Sequence, residues 1–354
     1  MRMNDVMIRY QEGLKTHENA KGGSLLSEQD LEGLRVFATT VLRGSRDREL
    51  TGYLLELDWR RNAIERQIPI PVKSSHPFWN ARGGNRGGRG LFVHRGILYV
   101  ATALTIYQYD SNLQLVGEIA HPWLAGLHEI FIDEEGIWAT STVHDLVFKL
   151  DFQGNIVDEW FGSESEVLQQ FFGYSGRQLN LSLEFHPETF TAEYEQYCAD
   201  ERLHVNTVWS YEGVVFVLAC RKNALIRIRP LPEQVVVLDE KLSSPHNGIL
   251  TEDGEVLIND TQNQRLCLYS LDDGRARCTI DTSIYKGGSG FSQQFSTPGW
   301  QRGLAHVKNS VYLVGTSPAS VFEVDIRSGV IGRICQIDDD INHCIHGLTA
   351  TYNL

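Results

Sequence analysis

"HNGILTEDGEVLINDTQNQRLCLYSLDDGRARCTIDTS", residues 246–283, decides the fold. It divides into four short runs in which apolar and polar residues alternate. Gly, Asn and Asp clusters end each run. A period of two with frequent turn residues is the pattern of a strand meander. The same order and similar spacing recur from His204 ("HVNTVWSYEGVVFVLACRKNALIRIRPLPEQVVVLDE") and from Leu127 ("LHEIFIDEEGIWATSTVHDLVFKLDFQGNIVDEWFG"). They recur again from Arg89 ("RGLFVHRGILYVATALTIYQYDSNLQLVGEIAHP") and Arg302 ("RGLAHVKNSVYLVGTSPASVFEVDIRSGVIGRICQID").

A four-stranded unit repeating about every 40 residues is the blade of a β-propeller. The two ends of the chain complement each other. "LRVFATTVL", "TGYLLELDW" and "AIERQIPIP" supply second, third and fourth strands with no first. "IHGLTATYNL", from Ile345, supplies a first strand with no blade after it. The fold class expected is therefore all-β: a six-bladed β-propeller over residues 34–354, its C-terminal strand closing the N-terminal blade. Residues 1–33 form a lead-in, helical or disordered. Three joins between blades are longer than the repeat needs: 73–88, 162–203 (partly helical) and 284–301. All three are expected on the face where the innermost strands begin, as lids or binding loops.

Aligning the starts of the innermost strands puts His128, His204, His246 and His346 at one register. The two other blades place Gly90 and Gly303 there, preceded by Arg89 and Arg302. Innermost strands surround the axis, so these four imidazoles should meet across a narrow channel. Crowded neutral rings resist protonation, and a divalent transition metal supplies the countercharge they lack. An all-nitrogen donor set suits Fe, Cu, Ni or Zn and disfavours Ca and Mg. Candidate carboxylates for the second ring nitrogens are Glu129, Asp200, Glu201, Asp260 and Asp340. The glycines are expected to leave open coordination positions, with Arg89 and Arg302 flanking them to bind a carboxylate or phosphate. A one-residue slip at any blade would turn that histidine away. The second strands end in Thr39, Thr102, Thr140, Asn259 and Thr316, which would rim the same mouth.

Composition bounds the partners. The 354-residue chain carries a net charge of -13. Such a chain repels polyanions, so neither nucleic acid nor an anionic membrane is an expected partner. The "ARGGNRGGRG" run, 81–90, is read as a flexible lid. No apolar run is long enough to span a bilayer, and no secretory signal is visible, so a cytoplasmic location is expected. The six cysteines include no C-x-x-C pair, which excludes a zinc ribbon and makes them buried thiols. No G-x-S-x-G elbow offers serine-hydrolase chemistry.

The blade rhythm over roughly 34–354 resembles that of six-bladed propellers of the senescence-marker/gluconolactonase and NHL kind. The resemblance implies a lactonase-type axial metal, but those enzymes hold calcium with Glu, Asn and Asp where this chain carries histidines. A four-histidine axis is similar to that of the carotenoid-cleavage oxygenases, which hold iron so on seven blades. The leading expectation is a non-haem iron oxygenase or oxidoreductase. It would hold Fe(II), or Cu, Zn, Mn or Ni, through His128, His204, His246 and His346, and act on a small acidic or polar substrate, a carboxylate among the candidates. Two alternatives stand beside it: a Zn- or Mn-dependent hydrolase or lyase with Asp260 as base, and a non-catalytic binding platform.

Overall fold

The computed structural model describes residues 22–45, 50–71, 87–177, 179, 181, 200–285 and 296–354. The chain enters through β1 (Arg35–Leu42), β2 (Tyr53–Asp58) and β3 (Ala63–Pro69), which lack an inner strand. Four-stranded meanders follow. The first is β4 (Leu91–His94), β5 (Ile97–Ala101), β6 (Thr105–Tyr109) and β7 (Leu115–Ala120). The second is β8 (Ile130–Ile132), β9 (Ile137–Ser141), β10 (Leu146–Leu150) and β11 (Ile156–Phe161). The third is β12 (Val205–Tyr211), β13 (Val214–Ala219), β14 (Ala224–Arg229) and β15 (Gln234–Leu238). The fourth is β16 (Pro245–Leu250), β17 (Glu255–Asp260), β18 (Arg265–Ser270) and β19 (Ala276–Asp281). The fifth is β20 (Leu304–Lys308), β21 (Val311–Thr316), β22 (Ser320–Asp325) and β23 (Val330–Gln336). The last strand, β24 (His343–Thr351), pairs antiparallel with β1 from Arg35 opposite Thr351 to Leu42 opposite His343. Six four-stranded sheets result, and the sixth is closed by the C-terminal strand as the sequence predicts.

The inner strands β4, β8, β12, β16, β20 and β24 each touch the next around a ring. An apolar core fills each gap between neighbouring blades. Leu98, Val100 and Tyr107 of the first blade face Phe37 and Leu54 of the sixth. Ala139, Leu146 and Phe148 face Ala101 and Ile106. Trp209, Phe216 and Leu225 face Val256 and Tyr269. Each fully buried side chain of this size contributes about 1.5–3 kcal/mol. The circular arrangement leaves no blade with an unpartnered face, and closure protects the edges of the inner strands.

Residues 22–33 form turns, not a helix, and they are strapped to the rotor. Glu323, fully buried on β22, accepts hydrogen bonds from Leu25 N (2.5 Å), Ser24 Oγ (2.6 Å) and Trp59 Nε1 (2.6 Å). Leu26 and Leu31 pack into the core between the fifth and sixth blades. Among the described residues of the join 162–203 one α-helix stands, α1 (Glu166–Phe172), with Ser165 accepting at its N-terminus from Leu168 N. The rest of that join over 182–199, residues 73–86 and most of 284–301 lie outside the described residues, as do His76 and Cys198. Residues 87–90, the end of the expected lid, are buried. Among the described residues, no helix is long and apolar enough to cross a membrane.

Candidate metal centre

The backbone departs from regular strand geometry where the histidines sit. His204 immediately precedes β12 with φ of 53°, in the left-handed region. Its approach is held by Asp145, a fully buried carboxylate that accepts from Leu203 N (3.0 Å) and His204 N (2.7 Å) through Oδ1, and from Arg202 N (2.5 Å) through Oδ2. His246 is the second residue of β16 and lies between Ser244 and Asn247, both left-handed, at a β-bulge. Within the "SSPHNG" stretch Asn247 tolerates the left-handed conformation at the bulge beside the ring. His128 lies just before β8, where Thr140 Oγ1 accepts from the His128 and Glu129 backbone N–H groups. His346 lies inside β24.

The histidine register read from sequence does bring the rings together. The His128 ring centroid lies 5.2 Å from that of His204, 6.1 Å from His246 and 5.5 Å from His346. One ring nitrogen from each of His128, His204 and His246 lies within 4.8 Å of the others. The structure thus gathers three of the four in a cluster with the spacing of metal ligands. His346 stands beside it, with Nε2 placed 3.1 Å from Arg302 Nη1.

The Nδ1 atoms of the three are held in one way. That of His128 faces Gly126 O at 2.7 Å and Thr142 Oγ1 at 2.9 Å. That of His246 faces Ser244 O at 2.8 Å and Thr261 Oγ1 at 3.2 Å. Each threonine hydroxyl already donates to a carbonyl, Val205 O or Gln301 O, so each accepts from the ring. His204 Nδ1 lies 2.6 Å from Glu201 Oε2, a carboxylate also paired with Arg221. These acceptors favour Nδ1–H tautomers and leave Nε2 for a metal. Arg89 Nη1 also lies 2.9 Å from His128 Nδ1. One ring nitrogen cannot donate to an oxygen and accept from a guanidinium at once, and two acceptors outweigh one donor.

Burial holds the His128, His246 and His346 rings neutral, well below the usual imidazole range. Arginine charges add to it: Arg89 at His128, and Arg302 first at His246 and His346. Arg302 is itself disfavoured as a cation by burial and then by Arg43 and Arg89. Among the described residues no carboxylate pairs with it, and its guanidinium carbon lies 5.9 Å from the Trp300 ring centroid. Two guanidinium groups, Arg89 and Arg302, thus stand against the rings within a chain of net charge -13.

Two readings are corrected. Asp260 is fully buried at the end of β17, where its carboxylate binds Ser243 N (2.6 Å), Asn263 Nδ2 (2.7 Å) and Arg265 Nε (2.6 Å). It braces a strand end and is not a free base. Nor do the glycines leave vacancies. A Cβ on Gly90 would meet Glu129 Oε2 at 2.5 Å, and one on Gly303 would meet Leu348 Cβ at 2.9 Å. Sequence reasoning assigned Glu129 only a secondary part. Its Oε1 accepts from Asn247 Nδ2 at 2.7 Å, and burial pushes its carboxyl up to about 8. Thr142 and Thr261 were missed. Each follows an expected strand-end residue, Thr140 or Asn259, by two positions, and that shared offset is the signal that could have found them.

No protein family matches the chain by sequence, and no curated protein matches it. Solved structures do resemble it. A chain of a Nidogen/Laminin complex is 9% identical and aligns over 90% of this chain and 98% of that one, with a TM-score of 0.56. A protein of unknown function from Bacteroides caccae is 10% identical, with the same coverage and a TM-score of 0.54. A streptogramin B lyase is 12% identical and aligns over 75% of this chain and 70% of that one, with a TM-score of 0.44. These likenesses are of fold alone, and the third is too loose to bear on function.

Proposed function

We propose that the chain is a metal-dependent enzyme whose first-row transition metal is held on the propeller axis by His128, His204 and His246, with His346 beside it. The single observation that carries this reading is the convergence of three ring nitrogens within 4.8 Å. The Nδ1 contacts of those rings support it. The donor set passes a further test: His246 Nε2 is buried and has no hydrogen-bond partner among the described residues. A buried ring nitrogen left so is costly unless something binds it.

Neutral imidazoles bring no negative charge, and Arg89 and Arg302 add positive charge nearby. A cation placed there requires an anion as well. This favours a small substrate bearing a carboxylate, received by the Arg302 guanidinium. Iron is among the first-row metals that an all-imidazole set suits, and oxidoreductase chemistry is the reading we favour within the enzyme class. When bound, the ion would supply Lewis acidity and, as iron, one-electron chemistry. The chain's own part is to hold the rings in one tautomer, to orient the anion through Arg302, and to keep bulk water from the axis.

Elemental analysis of the native protein tests this, joined to spectroscopy of the bound ion. About one equivalent of metal per chain is expected, lost in His128→Ala, His204→Ala and His246→Ala. Metal content unchanged in all three variants ends the proposal. So does a wild-type chain whose melting temperature does not respond to Fe(II), Co(II) or Zn(II). Dependence of turnover on oxygen separates oxidation from Lewis-acid chemistry.

A further inference from the structure

The axis has a second end. The histidines stand at the beginnings of the inner strands. Beyond them, toward the strand ends, the axis opens into a cavity of about 530 Å³. This lies within the size of small-molecule sites, roughly 300–1,000 Å³. Its wall is mostly apolar and strongly aromatic: Phe92, Phe131, Trp209, Phe216, Leu304 and Leu348. Phe92 and Phe131 meet edge to face at 5.2 Å, and Trp209 and Phe216 at 4.2 Å.

A polar belt lies at the edge of this cavity. Glu129 and Asn247 line it and hydrogen-bond to each other across the axis, from the second blade to the fourth. Asn247 Oδ1 accepts from Gly303 N at 2.8 Å and Asn259 Nδ2 at 3.3 Å, which ties the belt to the fifth blade. Glu129 Oε1 takes the Asn247 amide, and no protein donor reaches Oε2 among the described residues. Trp209 Nε1 is buried and has no acceptor among the described residues. The buried indole N–H left without a partner is a demand for a ligand, and the Glu129 carboxyl group in the same lining offers Oε2 to a donor.

We propose that this cavity is a second ligand site, distinct from the histidine centre, and that it takes a hydrophobic amine. The ammonium sits against Glu129 Oε2, and the aryl or alkyl body fills the aromatic chamber. An oxygen on that body accepts from Trp209. Aromatic faces attract a cation as well as an apolar chain. The net charge of -13 draws cations to the protein and repels anions. The cavity and the histidine centre therefore select opposite charges at opposite ends of one axis.

Calorimetric titration with 2-phenylethylamine and tryptamine, against 2-phenylethanol as the neutral analogue, tests the proposal. The amines should bind saturably and about tenfold or more tighter than the alcohol. Glu129→Gln should remove that preference, and Ala305→Trp, which fills the cavity from β20, should abolish binding of both. No saturable amine binding, or equal affinity for amine and alcohol in the wild type, overturns the proposal whatever the variants do. A preference that survives Glu129→Gln in a folded variant overturns it too. His246→Ala separates this site from the metal reading. Amine binding retained there supports two sites, and binding lost there places the amine on the histidines and ends the inference.

Discussion

At the scale of the residue, the hydroxyls of Thr142 and Thr261 matter most. Each joins a histidine ring to a carbonyl of the next blade: Val205 O for Thr142 and Gln301 O for Thr261. A ring so held presents one nitrogen in one direction. Thr142→Val and Thr261→Val should therefore each weaken metal binding by roughly ten- to a hundredfold. The fold should lose only about 1–2 kcal/mol for each buried hydrogen bond removed. Competition with a chelator measures the first effect and urea denaturation the second. His144 illustrates a different residue-scale effect. Burial, and then the Arg177 charge, brings its ring down to about 4 from 6.5. Between those values the unfolded chain binds a proton that the folded chain refuses. Stability therefore falls as pH drops from about 6.5 toward 4, by up to about 3 kcal/mol, and this contribution is constant below that. His144→Gln should flatten that part of the stability–pH curve, as read from urea midpoints at pH 7 and pH 5.

At the scale of the element, strand rhythm predicts the meanders because alternation and turn residues are local properties. The aligned histidines follow from that rhythm, since equivalent register means equivalent place on the axis. What stays hidden depends on partners distant in sequence. Asp260 has the look of a catalytic carboxylate until Arg265 and the Ser243 backbone are seen to occupy it. Gly90 suggests room until the Glu129 side chain is found in that space. The bulge at His246 and the left-handed His204 before β12 come from tertiary fit, which no short window records. Gly303 makes the point testable. Its φ is 82°, and an added Cβ would meet Leu348 Cβ at 2.9 Å. Gly303→Ala should destabilise the protein by about 1–3 kcal/mol. Gly248→Ala is the control. Its nearest neighbours would be 3.9 Å away, so thermal melts should show little change.

At the scale of the whole molecule, the ring is completed by a strand from the far end of the chain. β24 supplies the inner edge of the sixth blade and His346. It also supplies Ile345 and Leu348, buried in the core between the fifth and sixth blades. Burial of those two side chains alone is worth about 1.5–3 kcal/mol each. Removing the strand would also bare the hydrogen-bonding edge of β1 along the axis, a template for pairing with another chain. A chain ended at residue 341 should therefore lose the single cooperative melt of the closed rotor and self-associate. A synthetic peptide of residues 343–354 should restore both the melt and the monomeric or native assembly state, because the empty position is a preformed slot between β1, β4 and β20. The same peptide with Leu348→Pro should fail, since proline removes an amide from the ladder and a buried side chain from the core. Differential scanning calorimetry with light scattering reads both effects. A truncated chain that melts as the intact one does would mean that five blades and a partial sixth hold the axis without closure. The histidine centre would then owe its geometry to local packing and not to the ring.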